Sequence, residues 1–138
     1  MALENPEQAK LLKCAGRGVR KVPGQMNKLE RRYFDTLTMR KAQGEILDFW
    51  YEPVTFKLAF DTRYTPDFMI MFPTGLIAFH ETKGFWEEDA KIKIKCAADK
   101  FPFIFTGVKW VSGGWSYENF SRNIVEPGLC KMEVGASA

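Results

Sequence analysis

The sequence predicts an α/β domain, a mixed β-sheet flanked by helices, on three observations. Four runs rich in aromatic and β-branched residues, 46–51, 55–60, 63–72 and 76–82, follow one another with Pro, Gly or Asp between them. A helical pattern precedes this block and another follows it. A further strand pattern, 103–111, lies beyond the second helix, and a strand–helix–strand crossover of this kind makes its two strands parallel.

Taken in order, residues 1–25 read as a loosely structured basic arm. Gly16, Gly18, Pro23 and Gly24 interrupt any regular pattern there. The core domain is expected over 26–125. Its first helix starts at Asn27, a good N-cap, with Glu30 three residues later as in a capping box. Leu29, Tyr33, Phe34 and Leu37, extended by Met39, recur at helical spacing, and Gly44 is the stop. Pro73-Thr74-Gly75 signals a tight turn between the last two strands of the block. Glu87, Glu88 and Asp89 suit the start of a second helix, where the dipole favours negative charge, and Pro102 closes it after Lys100. Ala90, Ile94, Ala97, Ala98 and Phe101 share its apolar face. Residues 116–123 read as a short helix, 126–138 as a C-terminal tail, and 134–138 as disordered.

With 138 residues and 46% hydrophobic content, including twelve Phe and four Trp, one globular domain is expected. No apolar run reaches membrane-spanning length, and residues 1–6 lack the apolar stretch of a signal peptide. Cys14, Cys96 and Cys130 are odd in number and far apart, which fits free thiols in a reducing cytoplasm. A single histidine, His80, argues against zinc.

Charge is unevenly spread. Residues 10–41 contain Lys10, Lys13, Arg17, Arg20, Lys21, Lys28, Arg31, Arg32, Arg40 and Lys41 against only Glu30 and Asp35, a net +8. Since the whole chain is +3, the rest carries −5. Such a segment is either a solvated basic face or an electrostatic footprint for a polyanion.

The chemistry concentrates in Tyr64-Thr65-Pro66-Asp67-Phe68 and Glu81-Thr82-Lys83-Gly84. Alternation along a strand sends Glu81 and Lys83 the same way, and a hairpin of the two runs brings Asp67 towards Glu81. Two adjacent carboxylates repel unless a cation separates them, and hard oxygen ligands suit magnesium or manganese. A lysine beside them can orient a water or neutralise a phosphate. Each residue also has an ordinary explanation. Asp67 can cap a turn, and Glu81 pairs with Lys83 whether or not a metal is present. His80 alternates with Glu81 and belongs to the opposite face, in the core or on the surface. Phe85 and Trp86 are expected to pack rather than stack on bases. Lys91, Lys93 and Lys95 form a solvated helix face or, less simply, contact phosphates.

Pro66-Asp67, thirteen residues, then Glu81-Thr82-Lys83 resembles the signature of the PD-(D/E)XK nuclease superfamily. The neighbouring residues, through Phe85-Trp86-Glu87, and the glycine-rich basic Gly16–Val22 segment are similar to those of phage resolvases of four-way DNA junctions. The resemblance covers roughly residues 16–101. It implies a restriction-endonuclease-like core and a magnesium-dependent endodeoxyribonuclease, with manganese as a substitute, acting as a homodimer on branched DNA. In that reading Asp67, Glu81 and the Thr82 carbonyl hold metal, Lys83 positions or deprotonates the attacking water, and Glu30 completes the site from the helix. Arg17, Arg20, Lys21, Lys28, Arg31, Arg32, Lys91 and Lys95 would contact the DNA backbone. The implied location is the cytoplasm, that of the host cell if the chain is phage-encoded, with no membrane partner. The competing expectation is a non-catalytic DNA-binding or assembly module on the same core.

Overall fold

A computed structural model of the chain describes residues 24–122, 124–127 and 133–134. The basic arm, apart from Gly24 and Gln25, lies outside these residues, as do Arg17, Arg20 and Lys21. The fold is α/β. Helix α1, Lys28–Ala42, leads into strands β1, Asp48–Tyr51, β2, Phe56–Ala59, β3, Thr62–Tyr64, β4, Phe68–Met71, and β5, Ile77–Lys83. Helix α2, Glu88–Lys100, crosses to β6, Ile104–Val111, which is followed by β7, Gly114–Asn119, and the two-residue β8, Glu133–Val134.

The main sheet runs β1-β4-β5-β6-β7-β8, and β2 and β3 form a separate hairpin. It is mixed. The β5–β6 and β7–β8 pairs are parallel, while β1–β4, β4–β5 and β6–β7 are antiparallel. The β5–α2–β6 crossover thus has the parallel arrangement expected of it.

Local chemistry sets the helix ends. Asn27 Oδ1 accepts from the Glu30 N–H at 2.8 Å and Glu30 Oε2 accepts from the Asn27 N–H at 3.0 Å, the full capping box. At the other end Gly44 has φ +77°. Its N–H donates to the Lys41 carbonyl, and the Glu45 N–H donates to that of Arg40, a Schellman closure that needs a left-handed residue.

Alternation along the strands divides the interior into two clusters, one on each face of the sheet. Tyr33 and Leu37 of α1 pack with Phe68, Ile70, Ala78 and Val108. Ile94 and Ala97 of α2 pack with Phe79, Phe105 and the hairpin residues Phe56 and Tyr64. Because neighbours in a strand face opposite ways, His80 belongs to the α1 side, whereas Glu81 falls with Phe79 on the α2 side.

Several expectations change. The run 63–72 is two strands, not one, broken at Thr65–Asp67 where Pro66 cannot donate to a ladder. Of the expected helix 116–123, the described residues 116–122 are not helical. Ser112 and Gly113, with φ +49° and +81°, make a two-residue turn of the type that matches strand twist, and β7 returns antiparallel to β6. Met39 is exposed, and Arg40 is the buried residue on that helical turn instead. Glu126, assigned to the tail, is fully buried, and its carboxylate bonds His80 Nε2. Glu133 and Val134 pair with Glu118 and Asn119, so part of the expected tail adds to the sheet edge.

Candidate active site

The hairpin of β4 and β5 builds the site. Its turn closes at Gly75, φ +87°, whose N–H donates to the Phe72 carbonyl at 2.9 Å. The register pairs Phe68 with His80, so Asp67, one residue before β4, lies across from Glu81. The Asp67 N–H donates to Glu81 Oε2 at 3.3 Å. Thr82 then holds the Asp67 side chain twice, from its N–H and its hydroxyl, each 2.8 Å from Oδ2. The Tyr64 hydroxyl donates to Glu81 Oε2 at 3.2 Å, and Lys83 Nζ sits 3.2 Å from Glu81 Oε1.

Both carboxylates are largely removed from water, at 5% and 7% exposure. Burial, reinforced by the charge of Asp67 and opposed by Lys83, pushes the Glu81 carboxyl up to about 7. The Tyr64 hydroxyl is raised strongly by burial and by the charges of Glu81 and Asp67, which keeps it a donor. Glu81 and Lys83 open onto a cleft of about 300 Å³ whose walls include Arg63, Tyr64, Thr65, Asp89 and Lys93. The site therefore combines two buried carboxylates with three cations, Arg63, Lys83 and Lys93, along an open cleft.

Of the residues expected at the site, Asp67, Glu81, Thr82 and Lys83 come together. Glu30 is buried, and its Oε2 accepts from the Asn27 N–H and from the Tyr51 hydroxyl at 2.8 Å. These contacts cap α1 and tie it to β1. Among the described residues no group of three or more His, Cys, Asp or Glu side chains that could hold a metal ion is found. His80 is in the core, where Tyr33 and Glu126 bond its two ring nitrogens. Trp86 packs as expected, near Phe120, but Phe85 does not and stands 76% exposed.

The basic residues divide by layer. Lys28, Arg31 and Arg32 are exposed on α1, with Arg31 over the Phe34 ring and Arg32 4.4 Å from the Trp110 ring centre. Lys91 is half-buried and Lys95 exposed on α2. Lys93, on the same helix, is the one that lines the cleft. Arg63 was not foreseen as a cleft residue. Its signal was its place immediately before Tyr64-Thr65-Pro66-Asp67, hidden when 63–72 reads as one strand.

No protein-family model matches the chain, and a comparison with curated proteins finds no match to it. Among the described residues no helix is long and apolar enough to cross a membrane.

Proposed function

We propose that the chain is a metal-dependent endodeoxyribonuclease of the PD-(D/E)XK type, on a restriction-endonuclease-like core, selective for branched DNA. The observation that carries this reading is the Asp67–Glu81 pair, bonded through the Asp67 N–H, with Lys83 3.2 Å from Glu81 and both Glu81 and Lys83 lining a cleft that also holds Arg63 and Lys93.

The donor set fits a hard divalent cation. Its side-chain ligands are carboxylate oxygens, and a Glu81 carboxyl pushed up to about 7 marks a site that a positive charge would relieve. Asp67 and Glu81 would hold magnesium, with the Thr82 carbonyl as a third oxygen. When bound, the ion supplies Lewis acidity towards a phosphate oxygen and makes water more acidic. The chain supplies the rest. Thr82 fixes Asp67 through two hydrogen bonds, and the Tyr64 hydroxyl and Asp67 N–H fix Glu81. These contacts preorganise negative charge where a displacement needs it. Lys83 orients the nucleophilic water or takes part in moving its proton. Arg63 and Lys93 attract the phosphodiester backbone.

Paired cleavage of a four-way junction requires two such sites, so the reading includes a homodimer, which sedimentation would detect. The deciding experiment is a nicking assay with magnesium on four-way junction, flap, duplex and single-stranded DNA. Cleavage strongest on the junction and lost in excess chelator is expected. Tight DNA binding without cleavage under any divalent cation would replace this reading with a non-catalytic DNA-binding module.

A further inference from the structure

The β2–β3 hairpin stands apart from the main sheet, yet it forms one wall of the cleft through Arg63, Tyr64 and Thr65. Its base is fixed. Phe56 and Tyr64, paired in register, are buried against Phe79 and Phe105. The Thr55 and Thr65 hydroxyls meet at 2.7 Å, and Lys100 Nζ donates to the Leu58 carbonyl at 3.1 Å, tying the hairpin to α2.

The outer part of the hairpin has no such satisfaction. Lys57 and Arg63 are exposed and lie directly across from each other in the register. Like charges at opposed positions destabilise a strand pair. Among the described residues neither forms an ion pair that would offset this. At the tip, Phe60 is 92% exposed, followed by Asp61 with φ +60° in the turn. A rigid base, an unneutralised cation pair whose Arg63 lines the cleft, and a bare aromatic ring at the hairpin tip suit a ligand that is a polyanion and also presents flat apolar rings.

We propose that this hairpin is a DNA-engaging finger, in which Lys57 and Arg63 hold backbone phosphates beside the cleft and Phe60 stacks on an unpaired base. The proposal rests on the nuclease reading of the cleft and deepens it. It assigns to the hairpin the recognition of unpaired nucleotides, such as those at a branch. Aromatic stacking reads any base and so suits structure selection without sequence selection.

The test uses the full chain, calcium in place of magnesium, and two fluorescent DNA probes: a duplex, and the same duplex with an unpaired branch carrying 2-aminopurine. Phe60→Ala alters a side chain that is 92% exposed, and its thermal melting should match that of the wild type. It is expected to weaken branched-probe binding about 5- to 150-fold, to abolish the stacking quench of 2-aminopurine, and to leave duplex affinity within about twofold. Lys57→Gln with Arg63→Gln is expected to weaken both probes. The plot of log affinity against log salt should become shallower by about 0.9 for each lost contact. Unchanged branched-probe affinity in Phe60→Ala, or an unchanged salt slope in the double variant, overturns the finger. So does Phe60-dependent binding to anionic vesicles with no effect on DNA. Branch-selective cleavage that the substituted chains retain at the wild-type level sinks the finger alone. Hairpin-dependent binding without any cleavage supports the finger and sinks the nuclease chemistry alone.

Discussion

Asp67 and Glu81 face each other across the β4–β5 hairpin, with the Asp67 N–H 3.3 Å from Glu81 Oε2, and both side chains are buried. At Glu81 the charge of Asp67 is opposed by Lys83. Burial and the Asp67 charge raise the Glu81 carboxyl from 4.5 to about 7. A carboxyl raised on folding stabilises the fold fully below its unfolded value and loses that contribution as pH rises through its folded value. Without divalent cations, the Glu81 contribution should therefore decline between about pH 4.5 and 7. Glu81→Gln should flatten this decline and melt higher than the wild type at pH 8. Thermal denaturation of both proteins across that range checks it. Magnesium added at pH 7 should release protons, measurable by calorimetry in buffers of different ionisation enthalpy.

The same pair predicts the metal dependence. Magnesium and manganese should support cleavage, while calcium, which tolerates looser geometry, should support binding only. Asp67→Asn and Glu81→Gln should abolish cleavage, and Lys83→Ala should reduce it by about 10²-fold or more. Affinity for DNA should hold or improve in the two carboxylate variants, because each removes negative charge from a polyanion site. Turnover and binding measured on the same preparations separate the two effects. Wild-type turnover in any of these variants would remove that residue from the mechanism.

Much of this arrangement was legible in the sequence because it depends on local rules. The Asn27–Glu30 box, the Gly44 stop, the turn at Gly75 and strand alternation at Glu81 and Lys83 are all short-range patterns. The parallel β5–β6 pair follows from one crossover. What was not legible depends on contacts distant in sequence or on a break inside an apolar run. Thr65–Asp67 interrupts a continuous aromatic stretch, so Arg63 could not be assigned to the cleft wall. The Ser112-Gly113 turn is a hairpin signal, but the mixed polar and aromatic residues after it carry no clear period, and they read as helix. Glu126 is held by His80, 46 positions away, which no local pattern reveals.

That distant contact yields a stability prediction. His80 is bonded by Tyr33 on one nitrogen and Glu126 on the other, all three side chains buried between α1 and the sheet. Glu126 comes after the last long strand, so this bond fastens the C-terminal segment to the core. Glu126→Ala would leave a buried ring nitrogen unpaired, at a cost of about 1–3 kcal/mol. Tyr33→Phe should destabilise less than additively in the Glu126→Ala background, because both act through one imidazole. Chemical denaturation of the four proteins in the cycle measures the coupling. Full additivity would mean that the two bonds are energetically independent.

Gly107 links core packing to the site. It pairs with Glu81 in the β5–β6 register, and a Cβ built on it would lie 2.6 Å from Trp86 Cζ2 and 2.9 Å from Phe120 Cε2. Neither ring can absorb such an approach without moving. Trp86 is in the segment between Lys83 and α2, so a shift there disturbs the strand end that carries Glu81 and Lys83. Gly107→Ala should cost about 1–3 kcal/mol, the usual penalty for overpacking a dense core. It should also lower cleavage more than DNA binding, since the cations of Arg63 and Lys57 are held by the hairpin and not by Trp86. Trp86→Leu in the same chain would make room for the new methyl group and should recover part of both losses. Denaturation and nicking assays on the single and double variants decide it. A Gly107→Ala protein with wild-type stability would mean that Trp86 and Phe120 yield freely at this point.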